Sequence, residues 1–501
     1  MVSRGSLEGL PGSFQAGLNR ESASQEHSAE SMARLVERWL DNPVSRSILR
    51  FCTVRDACGR RVELALRKYA GEDVRICFSC SAAYHIIAGI LDSIIGKAKL
   101  DRPTIQLHLR DPMWRKGLAS VLEGIAKYGI SRPFTGFSPF LVVWNVTRAC
   151  NLDCVHCYES ARTRAPDELD TQRAKLAVTK LAEAGVAYVA FSGGEPLMRP
   201  DFFEIAEEVR RNEMAFSLAT NGTLASPQIA KELKDLGCAF VQVSLDGATA
   251  GTHDAFRGTT CFDRTVTGIR NLVSAGLCVG VATTATKQNL AEVPSIVDMA
   301  EDLGAMLFMH YNFIPTGRGA IMKEKDLDPT EREELLTWMA SQIGKRKLNL
   351  LSTAPLYSRI CAGTGRLSLT HFDTFGQNPE FAESAKFLAD FVGGCGTSRL
   401  YCALEPNGDI EPCVFIPIVL GNILHDDLLD IWHNHPVLKM IRDRENFKGY
   451  CGTCEHRNIC GGCRARAYGY SGDLTESDPG CILNQQAWDS LVMKMVAQVG
   501  P

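Results

Sequence analysis

The sequence lacks a strong excess of charge of either sign. Its 501 residues include 54 lysines and arginines against 58 aspartates and glutamates, and the formal net charge is −4. A protein whose main partner is nucleic acid usually carries a clear excess of basic residues. Short basic runs such as residues 345–347 are typical of solvated surface. We therefore expect no nucleic-acid partner.

The sequence also lacks an apolar leader and a long uninterrupted apolar run. Residues 1–31 are polar and rich in Ser, Glu and Gly, which predicts a disordered tail. The most apolar stretch, residues 82–99, is interrupted by Asp92 and is short for a bilayer. A phosphate-binding loop is missing too, because six residues separate the glycines of "GILDSIIGK" where four are needed. These absences predict a cytoplasmic protein without membrane contact.

Cysteine, in contrast, is abundant, with 19 residues. Cytoplasmic thiols stay reduced, so clustered cysteines indicate metal or redox chemistry rather than disulfides. Three compact groups stand out along the chain. They are Cys150, Cys154 and Cys157; then Cys395, Cys402 and Cys413; and finally Cys451, Cys454, Cys460, Cys463 and Cys481.

Hydrophobic periodicity divides the chain into distinct parts. Residues 32–135 carry apolar residues at three- and four-residue intervals, which predicts a helical N-terminal domain of unknown role. Between residues 136 and 350, short β-branched runs alternate with amphipathic helices, as in parallel β/α folds. Residues 351–483 are rich in Gly, Pro and Cys and predict a loop-dominated domain that needs metal staples. Residues 484–501 predict a C-terminal helix.

Six apolar runs define the strands of the middle part. They predict an α/β fold, a partial (β/α)6 barrel, in which chemistry gathers at the C-terminal ends of the strands. The runs cover residues 140–146, 186–193, 214–222, 239–247, 277–285 and 305–313.

The first cysteine group lies on one loop, directly after the first apolar run. Soft thiolates bind zinc, copper(I) or iron–sulfur clusters. A structural zinc site requires four ligands, whereas a 4Fe–4S cluster held by three thiolates leaves one iron open to an outside ligand. The set of three therefore favours a cluster with an open coordination position, and hence a site that performs chemistry.

The pattern Cys150-x3-Cys154-x2-Cys157 after a first barrel strand resembles the signature of the radical S-adenosylmethionine (SAM) enzymes. In that family the open iron chelates SAM, and reductive cleavage gives methionine and a 5′-deoxyadenosyl radical that abstracts hydrogen from the substrate. The resemblance covers about residues 140–320. It implies that these three cysteines hold the catalytic cluster.

Further motifs follow the later strands at the places where the resemblance requires them. "GGEP" ends the second run, "ATNG" the third, "SLDG" the fourth and "YNFIPTGRG" the sixth. By similarity, GGEP holds the methionine ammonium group of SAM, and His156 and Tyr158 flank the cluster. The implied cofactor-binding residues are Gly193, Gly194, Glu195, Thr220, Ser244, Asp246 and Arg318.

The cysteines of the tail are enough for two four-cysteine sites. A zinc ribbon is an alternative for the last group, but the five residues between its cysteine pairs leave no room for the usual hairpin. The arrangement resembles the SPASM extension of radical SAM enzymes, which holds two auxiliary 4Fe–4S clusters. Carried over in order, it implies one cluster on Cys395, Cys402, Cys413 and Cys463, and a second on Cys451, Cys454, Cys460 and Cys481.

The remaining cysteines leave a question open. Their spacing in the N-terminal part allows a fourth metal site, of zinc or iron–sulfur type, but isolated thiols packed among helices explain it more simply. The N-terminal cysteines are Cys52, Cys58, Cys77 and Cys80, while Cys238, Cys261 and Cys278 are predicted core residues of the barrel.

Together, these motifs predict an oxygen-sensitive radical SAM oxidoreductase with three 4Fe–4S clusters. The tail motif "CGGCRARAYGYSGD" is close to the tetrapyrrole-modifying branch of the family. The expected substrate is therefore a tetrapyrrole side chain, with the auxiliary clusters relaying electrons. A peptide or protein modified by the same chemistry is one alternative, and a non-catalytic iron–sulfur carrier is another. An electron donor such as a flavodoxin or ferredoxin is the expected protein partner.

Overall fold

The computed structural model describes residues 42–98, 101–364 and 392–499. The chain divides into two compact units, Met1–Ala119 and Ser120–Pro501. The predicted disordered tail, residues 1–31, lies outside the described residues. The other domain borders expected from the sequence stay predictions.

The described residues of the first unit form helices, as their periodicity predicts, and one small hairpin, which it does not predict. Two of its helices begin with a polar cap, because Asn42 accepts the Val44 N–H at 2.8 Å and Asp101 accepts the Thr104 N–H at 3.0 Å. The last helix spans the border between the units. The elements are α1 (Pro43–Cys52), β1 (Arg55–Asp56), β2 (Gly59–Arg60), α2 (Arg61–Tyr69), α3 (Phe78–Ala98), α4 (Arg102–Arg110) and α5 (Pro112–Tyr128).

Helix α3 is 21 residues long, and its segment Phe78–Gly96 is long and apolar enough to cross a membrane. The expectation that this stretch is too short was wrong, because the helix begins before the apolar run does. One such helix is weak evidence, since core helices of soluble proteins meet the same criteria. The segment therefore assigns no membrane role by itself.

The second unit confirms the predicted barrel strands. Six strands pair in parallel in chain order. A register shift between Asn145 and Thr147 marks a bulge at the C-terminal end of the first of them. The strands are β3 (Leu141–Thr147), β4 (Tyr188–Gly193), β5 (Ala215–Thr220), β6 (Phe240–Ser244), β7 (Val279–Ala285) and β8 (Leu307–Asn312).

Helices connect these strands and cover one face of the sheet. The first ends at Gly185 with a φ of 90°, the left-handed conformation that glycine adopts without strain. The connecting helices are α6 (Thr171–Ala184), α7 (Phe202–Arg211), α8 (Pro227–Asp235), α9 (Ala250–Arg257), α10 (Phe262–Ser274), α11 (Val293–Asp302) and α12 (Pro329–Gln342).

The two faces of the sheet differ in packing. Val241 and Val243 of β6 belong to the large core that includes the helix residues Ile269 and Leu272. The opposite face, toward the barrel interior, holds a smaller cluster in which the flanking aromatic and aliphatic side chains are only partly buried. This inner cluster comprises Ala282, Met309 and Leu351, with Phe240, Leu307 and Tyr311 packed against it.

The sheet extends beyond the six expected strands. β9 (Asn349–Ser352) pairs in parallel with β8, and β10 (Tyr401–Leu404) pairs in parallel with β3. β11 (Asp409–Glu411) and β12 (Gly421–Asn422) then add antiparallel pairs, giving ten strands in all. The cysteine-rich tail is thus joined to the barrel by strand pairing, which the loop-dominated prediction missed because these strands are short.

Six further helices lie in the described residues of the second unit after β9. The helix predicted for residues 484–501 is confirmed over the part that the structure describes. These helices are α13 (Leu356–Gly363), α14 (Leu428–Asn434), α15 (Pro436–Arg442), α16 (Gly449–Thr453), α17 (Arg464–Ser471) and α18 (Gln485–Val499).

Candidate active site

The loops that follow the parallel strands meet at one edge of the barrel. Glu195 N–H, after β4, donates to the Ala149 carbonyl at 2.8 Å, so GGEP lies directly on the loop of the first cysteine group. Asn221, after β5, donates to the side-chain oxygen of Asn151 in that loop at 2.8 Å. The motifs expected to act together are therefore in contact.

Arg318 fastens the cysteine loop from the side of β8. Its guanidinium donates to the carbonyls of Cys154 at 2.9 Å and Ala161 at 3.0 Å. Its backbone N–H donates to the Cys157 carbonyl at 2.9 Å, and Asp153 lies 3.3 Å from the guanidinium. These bonds give Arg318 a positioning role toward the loop. Its expected contact with the cofactor stays a prediction.

The two glycines of GGEP are required by the loop itself. Gly193 has a φ of 112°, and a Cβ there would lie 2.6 Å from the Thr147 carbonyl oxygen. A Cβ on Gly194 would lie 2.2 Å from the Ala149 carbonyl oxygen, well inside van der Waals contact. The close approach that glycine permits here is therefore to the backbone leading into the cysteine loop.

Glu195 is fully buried, and its carboxylate joins the ends of β4 and β5. It accepts hydrogen bonds from the Thr220 hydroxyl and from the Asn221 N–H, both at 2.8 Å, and from the Leu197 N–H at 3.2 Å. Burial raises the pKa of Glu195 to about 7, while these hydrogen bonds act in the opposite direction. Glu195 also lies near Cys150, and its negative charge contributes to raising the pKa of that thiol.

Asp246, after β6, forms a buried ion pair that the sequence did not reveal. Arg257 lies 2.5 Å from its carboxylate and also donates to the Cys154 sulfur at 3.8 Å. Burial acts to raise the pKa of Asp246, but Arg257 and then His156 hold it below its ordinary value. Burial raises the pKa of the Cys154 thiol, and the positive charge of Arg257 beside it acts in the opposite direction. No motif marks Arg257 in the sequence.

His156 belongs to the cysteine loop, and its side chain lies 3.6 Å from the Asp246 carboxylate. Burial lowers the pKa of His156 to about 4, so the ring is neutral near pH 7. Its Nδ1 atom is buried and has no hydrogen-bond partner among the described residues. An unsatisfied nitrogen at this position fits a polar ligand above the loop.

Thr220 and Ser244, the last two predicted cofactor contacts, differ in burial and in their hydrogen bonds. The Thr220 hydroxyl is buried, and besides its bond to Glu195 it accepts the Gly222 N–H at 3.1 Å. Ser244 ends β6, pairs with Ala282 of β7 and is only partly buried. The structure brings both residues to the edge of the site, and contact with the cofactor stays a prediction.

A polar network lines the barrel mouth beside the cysteine loop. The Tyr158 hydroxyl donates to the Asn145 side-chain oxygen at 2.9 Å and lies 3.0 Å from the Ser192 hydroxyl. Asn145 in turn donates to Glu159 at 3.0 Å and to Glu405 at 2.8 Å. Burial and then Glu405 raise the pKa of Glu159 to about 8. Sequence analysis missed the two glutamates and Asn145, which no motif distinguishes.

Two of the tail cysteines expected in the first auxiliary cluster lie together. Cys413 and Cys463 share a small apolar cluster with Ile416 and Ile441. Cys395 lies near both of them, because its charge contributes to raising the pKa of each thiol. Three of the four implied ligands are therefore assembled at one place.

Cys402 is separated from that group. Its neighbour Tyr401 donates a hydrogen bond to the Cys413 sulfur at 3.2 Å, and successive side chains of a strand point to opposite faces. Accordingly, Cys402 packs with Leu404 in the large core on the helix side of the sheet. This geometry disagrees with the ligand role implied by carrying the cysteines over in order.

The second implied set lies together. Cys481 and Cys451 lie near Cys460, because their charges contribute to raising the pKa of its thiol. Cys451 has the same effect on the pKa of Cys454. Backbone N–H groups donate to three of these sulfurs, as is favourable for thiolates that bind iron. They are Gly462 to Cys460 at 3.3 Å, His456 to Cys454 at 3.4 Å and Asp478 to Cys451 at 3.5 Å.

The chain matches the radical SAM superfamily over residues 144–300 and SPASM, an iron–sulfur cluster-binding domain, over residues 395–455. It is 36% identical over 348 residues to an AdoMet-dependent heme synthase from Methanosarcina barkeri, which covers 69% of this chain and 97% of that protein. The chain belongs to the radical SAM superfamily. It is also 33% identical to the mycofactocin maturase MftC of Mycobacterium tuberculosis, over 69% of this chain and 83% of that protein.

Solved structures support the radical SAM fold. Streptococcus suis SuiB bound to S-adenosylmethionine has a TM-score of 0.58 at 18% identity, over 84% of this chain and 92% of that chain. The structure of anSMEcpe with bound AdoMet and a peptide has a TM-score of 0.53 at 17% identity, over 72% of this chain and 98% of that chain. At these identities the likeness concerns the fold alone.

The chain is therefore a radical SAM enzyme, with a catalytic 4Fe–4S cluster, auxiliary clusters and SAM as its cofactors. The residues present fit these groups. Three thiols stand on one clamped loop beside an unsatisfied histidine nitrogen, and the tail assembles further thiols in two places.

Proposed function

We propose that this radical SAM oxidoreductase modifies a side chain of a tetrapyrrole. The observation that carries the proposal is the 36% identity to an AdoMet-dependent heme synthase across 97% of that protein. A second relative, 30% identical over 88% of its length, is a Fe-coproporphyrin III synthase from Methanosarcina barkeri. Two relatives whose names specify tetrapyrrole chemistry thus each match 69% of this chain.

The mouth of the barrel combines apolar and polar groups. Tyr311, near the C-terminal end of β8, is partly exposed beside the inner cluster, and the polar groups of Tyr158 and Asn145 lie next to the cysteine loop. A pocket with apolar walls and a few oriented polar groups is the usual form of a small-molecule site. A tetrapyrrole has this distribution, with an apolar ring and polar side chains at its rim.

The division of labour follows from the site. When bound, the catalytic cluster and SAM supply a radical that removes hydrogen from the substrate. The protein holds the cysteine loop through Arg318 and GGEP, and keeps a cation, Arg257, beside Cys154. We assign the catalytic cluster to Cys150, Cys154 and Cys157, and electron relay to the auxiliary clusters. The donor of the first electron is a flavodoxin or ferredoxin, and the enzyme acts in the cytoplasm.

The test is an anaerobic assay on the reconstituted full chain. Iron-containing and metal-free tetrapyrroles with propionate side chains are titrated by their absorbance, and 5′-deoxyadenosine is measured with SAM and a strong reductant. We expect one tetrapyrrole to bind and to stimulate 5′-deoxyadenosine formation. The matched Cys150/Cys154/Cys157→Ala variant should bind the same tetrapyrrole without turnover. Cofactor cleavage that no tetrapyrrole stimulates would contradict the proposal.

A peptide substrate is the second candidate, because the mycofactocin maturase relatives are 32–33% identical over comparable lengths. The helical first unit would then recognise the peptide. In the same assay, a peptide encoded beside this chain would stimulate 5′-deoxyadenosine formation and acquire a mass change, while tetrapyrroles would do neither.

A further inference from the structure

Three cysteines of the first unit converge on one point, outside the radical SAM machinery. The sulfur atoms of Cys58, Cys77 and Cys80 all lie within 4.8 Å of one another, and those of Cys77 and Cys80 are 3.5 Å apart. We propose that these three thiols bind a single zinc ion that joins the hairpin β1–β2 to the start of helix α3.

The spacing of the sulfurs indicates one metal ion rather than a cluster. Ligands about 2.3 Å from a tetrahedral zinc lie about 3.8 Å from each other. The cysteines of an iron–sulfur cube each bind a different iron, so their sulfurs are farther apart. Among the described residues, neither the catalytic-loop cysteines nor the tail cysteines form a set of three as tight as this one. The contrast within one chain favours a mononuclear site.

Local structure presents each of the three thiols to the same point. Cys58 stands in the two-residue turn between β1 and β2, which pair Asp56 with Gly59, and Gly59 has a φ of 118°. Cys77 directly precedes α3, and its carbonyl accepts the Ser81 N–H at 2.9 Å. Cys80 follows one turn later, so both thiols lie at a helix N-terminus, where negative thiolates are favoured.

Asp56 supports the site from behind. Its carboxylate accepts the Cys58 N–H at 2.9 Å and the Arg61 guanidinium at 2.8 Å, and it lies 3.8 Å from the Cys80 sulfur. Such outer groups orient the ligands of zinc sites. Arg61 also places a positive charge near the thiolates. Cys58 and Cys77 are exposed, so the fourth coordination position faces solvent and takes a water molecule.

The fourth N-terminal cysteine does not take part. Cys52 is fully buried in helix α1 and lies outside the tight set. The sequence alone left all four cysteines as equal candidates, and only the structure separates three from the fourth. Cys52 therefore provides the matched control.

The experiment uses the full chain, purified anaerobically and supplied with Zn²⁺, with zinc and iron counted separately. We expect about one zinc per chain, its loss in Cys77→Ser and in Cys58→Ser, and its retention in Cys52→Ala, with unchanged iron in all three variants. X-ray absorption at the zinc edge of the parent protein should show three sulfur neighbours and one light atom, a measurement that needs no variant to fold.

Four results would overturn the proposal. They are a parent chain that takes up no zinc, zinc content unaffected by Cys77→Ser, loss of iron instead of zinc in that variant, and a disulfide between Cys77 and Cys80 in the anaerobic parent protein.

Discussion

Tyr401 and Cys402 are neighbours in β10, yet their side chains point to opposite faces of the sheet and contact different groups. Tyr401 reaches the Cys413 sulfur at 3.2 Å, and Cys402 packs into the core of the barrel. Counting cysteines along the chain cannot reveal this difference, because it depends on the pleat of a strand that the sequence did not predict. At the scale of single residues, position on a face decides between ligand and core.

This difference predicts opposite outcomes for two similar substitutions. Cys413→Ala should lower the iron content by about four atoms per chain, because it removes a proposed ligand of an auxiliary cluster. Cys402→Ala should keep the parent's iron content and lose only some stability through a small core cavity. Iron and sulfide analysis after anaerobic reconstitution measures both. Equal iron loss in the two variants would restore Cys402 as a ligand.

The ion pair between Arg257 and Asp246 gives a second residue-scale prediction. Arg257→Met leaves a fully buried carboxylate without its partner, which should cost about 3–5 kcal/mol of unfolding free energy. Adding Asp246→Asn removes the unpaired charge, so the double variant should regain most of the lost stability. Urea unfolding midpoints of the parent, single and double variants check this. A double variant no more stable than Arg257→Met would show that the lost stability has another cause.

At the scale of elements, the site is held by contacts between the loops that leave neighbouring strands. GGEP after β4 lies on the backbone of residues 147–149, and Arg318 after β8 holds the far side of the cysteine loop. Parallel strands bring these loops to one edge, so residues distant in sequence form one clamp. The sequence motifs are thus partly requirements of this packing rather than direct cofactor contacts.

The clamp predicts that one added methyl group disables the enzyme. Gly194→Ala would place a Cβ 2.2 Å from the Ala149 carbonyl oxygen and so displace the cysteine loop. We expect loss of the catalytic cluster and of 5′-deoxyadenosine formation. Gly251→Ala in helix α9 is the matched control, since its Cβ would meet nothing within 4 Å. Normal turnover in Gly194→Ala would mean that the loop tolerates the displacement.

At the scale of the whole molecule, the tail and the barrel form one sheet. β10, from the cysteine-rich region, extends the barrel sheet beside β3, the strand that leads into the catalytic loop. Main-chain hydrogen bonds therefore fix β10 beside β3, and the Tyr401 side chain of β10 contacts the Cys413 sulfur. A rigid connection of this kind keeps the distance between the clusters constant, which suits electron transfer between them.

This arrangement predicts that the clusters load independently. The Cys150/Cys154/Cys157→Ala variant should hold about four irons fewer per chain than the parent, and keep its auxiliary clusters. It should also cleave no SAM, because it lacks the three cysteines that we assign to the cluster that binds SAM. Iron counting and 5′-deoxyadenosine assays on the same preparation check both points. Loss of all iron would show that the tail depends on the catalytic cluster for its fold.

The sequence by itself determined the family, the six barrel strands and the motifs at the strand ends, and it predicted the catalytic cysteine group. These features are local, since they rest on spacing within one loop and on periodicity within one element. The tertiary structure decided which thiols meet. It separated Cys402 from Cys413, set Cys52 apart from Cys58, and brought Arg257 to Asp246 and Cys154. Such encounters depend on strand pairing and turn geometry between distant segments, and no short stretch of sequence encodes them.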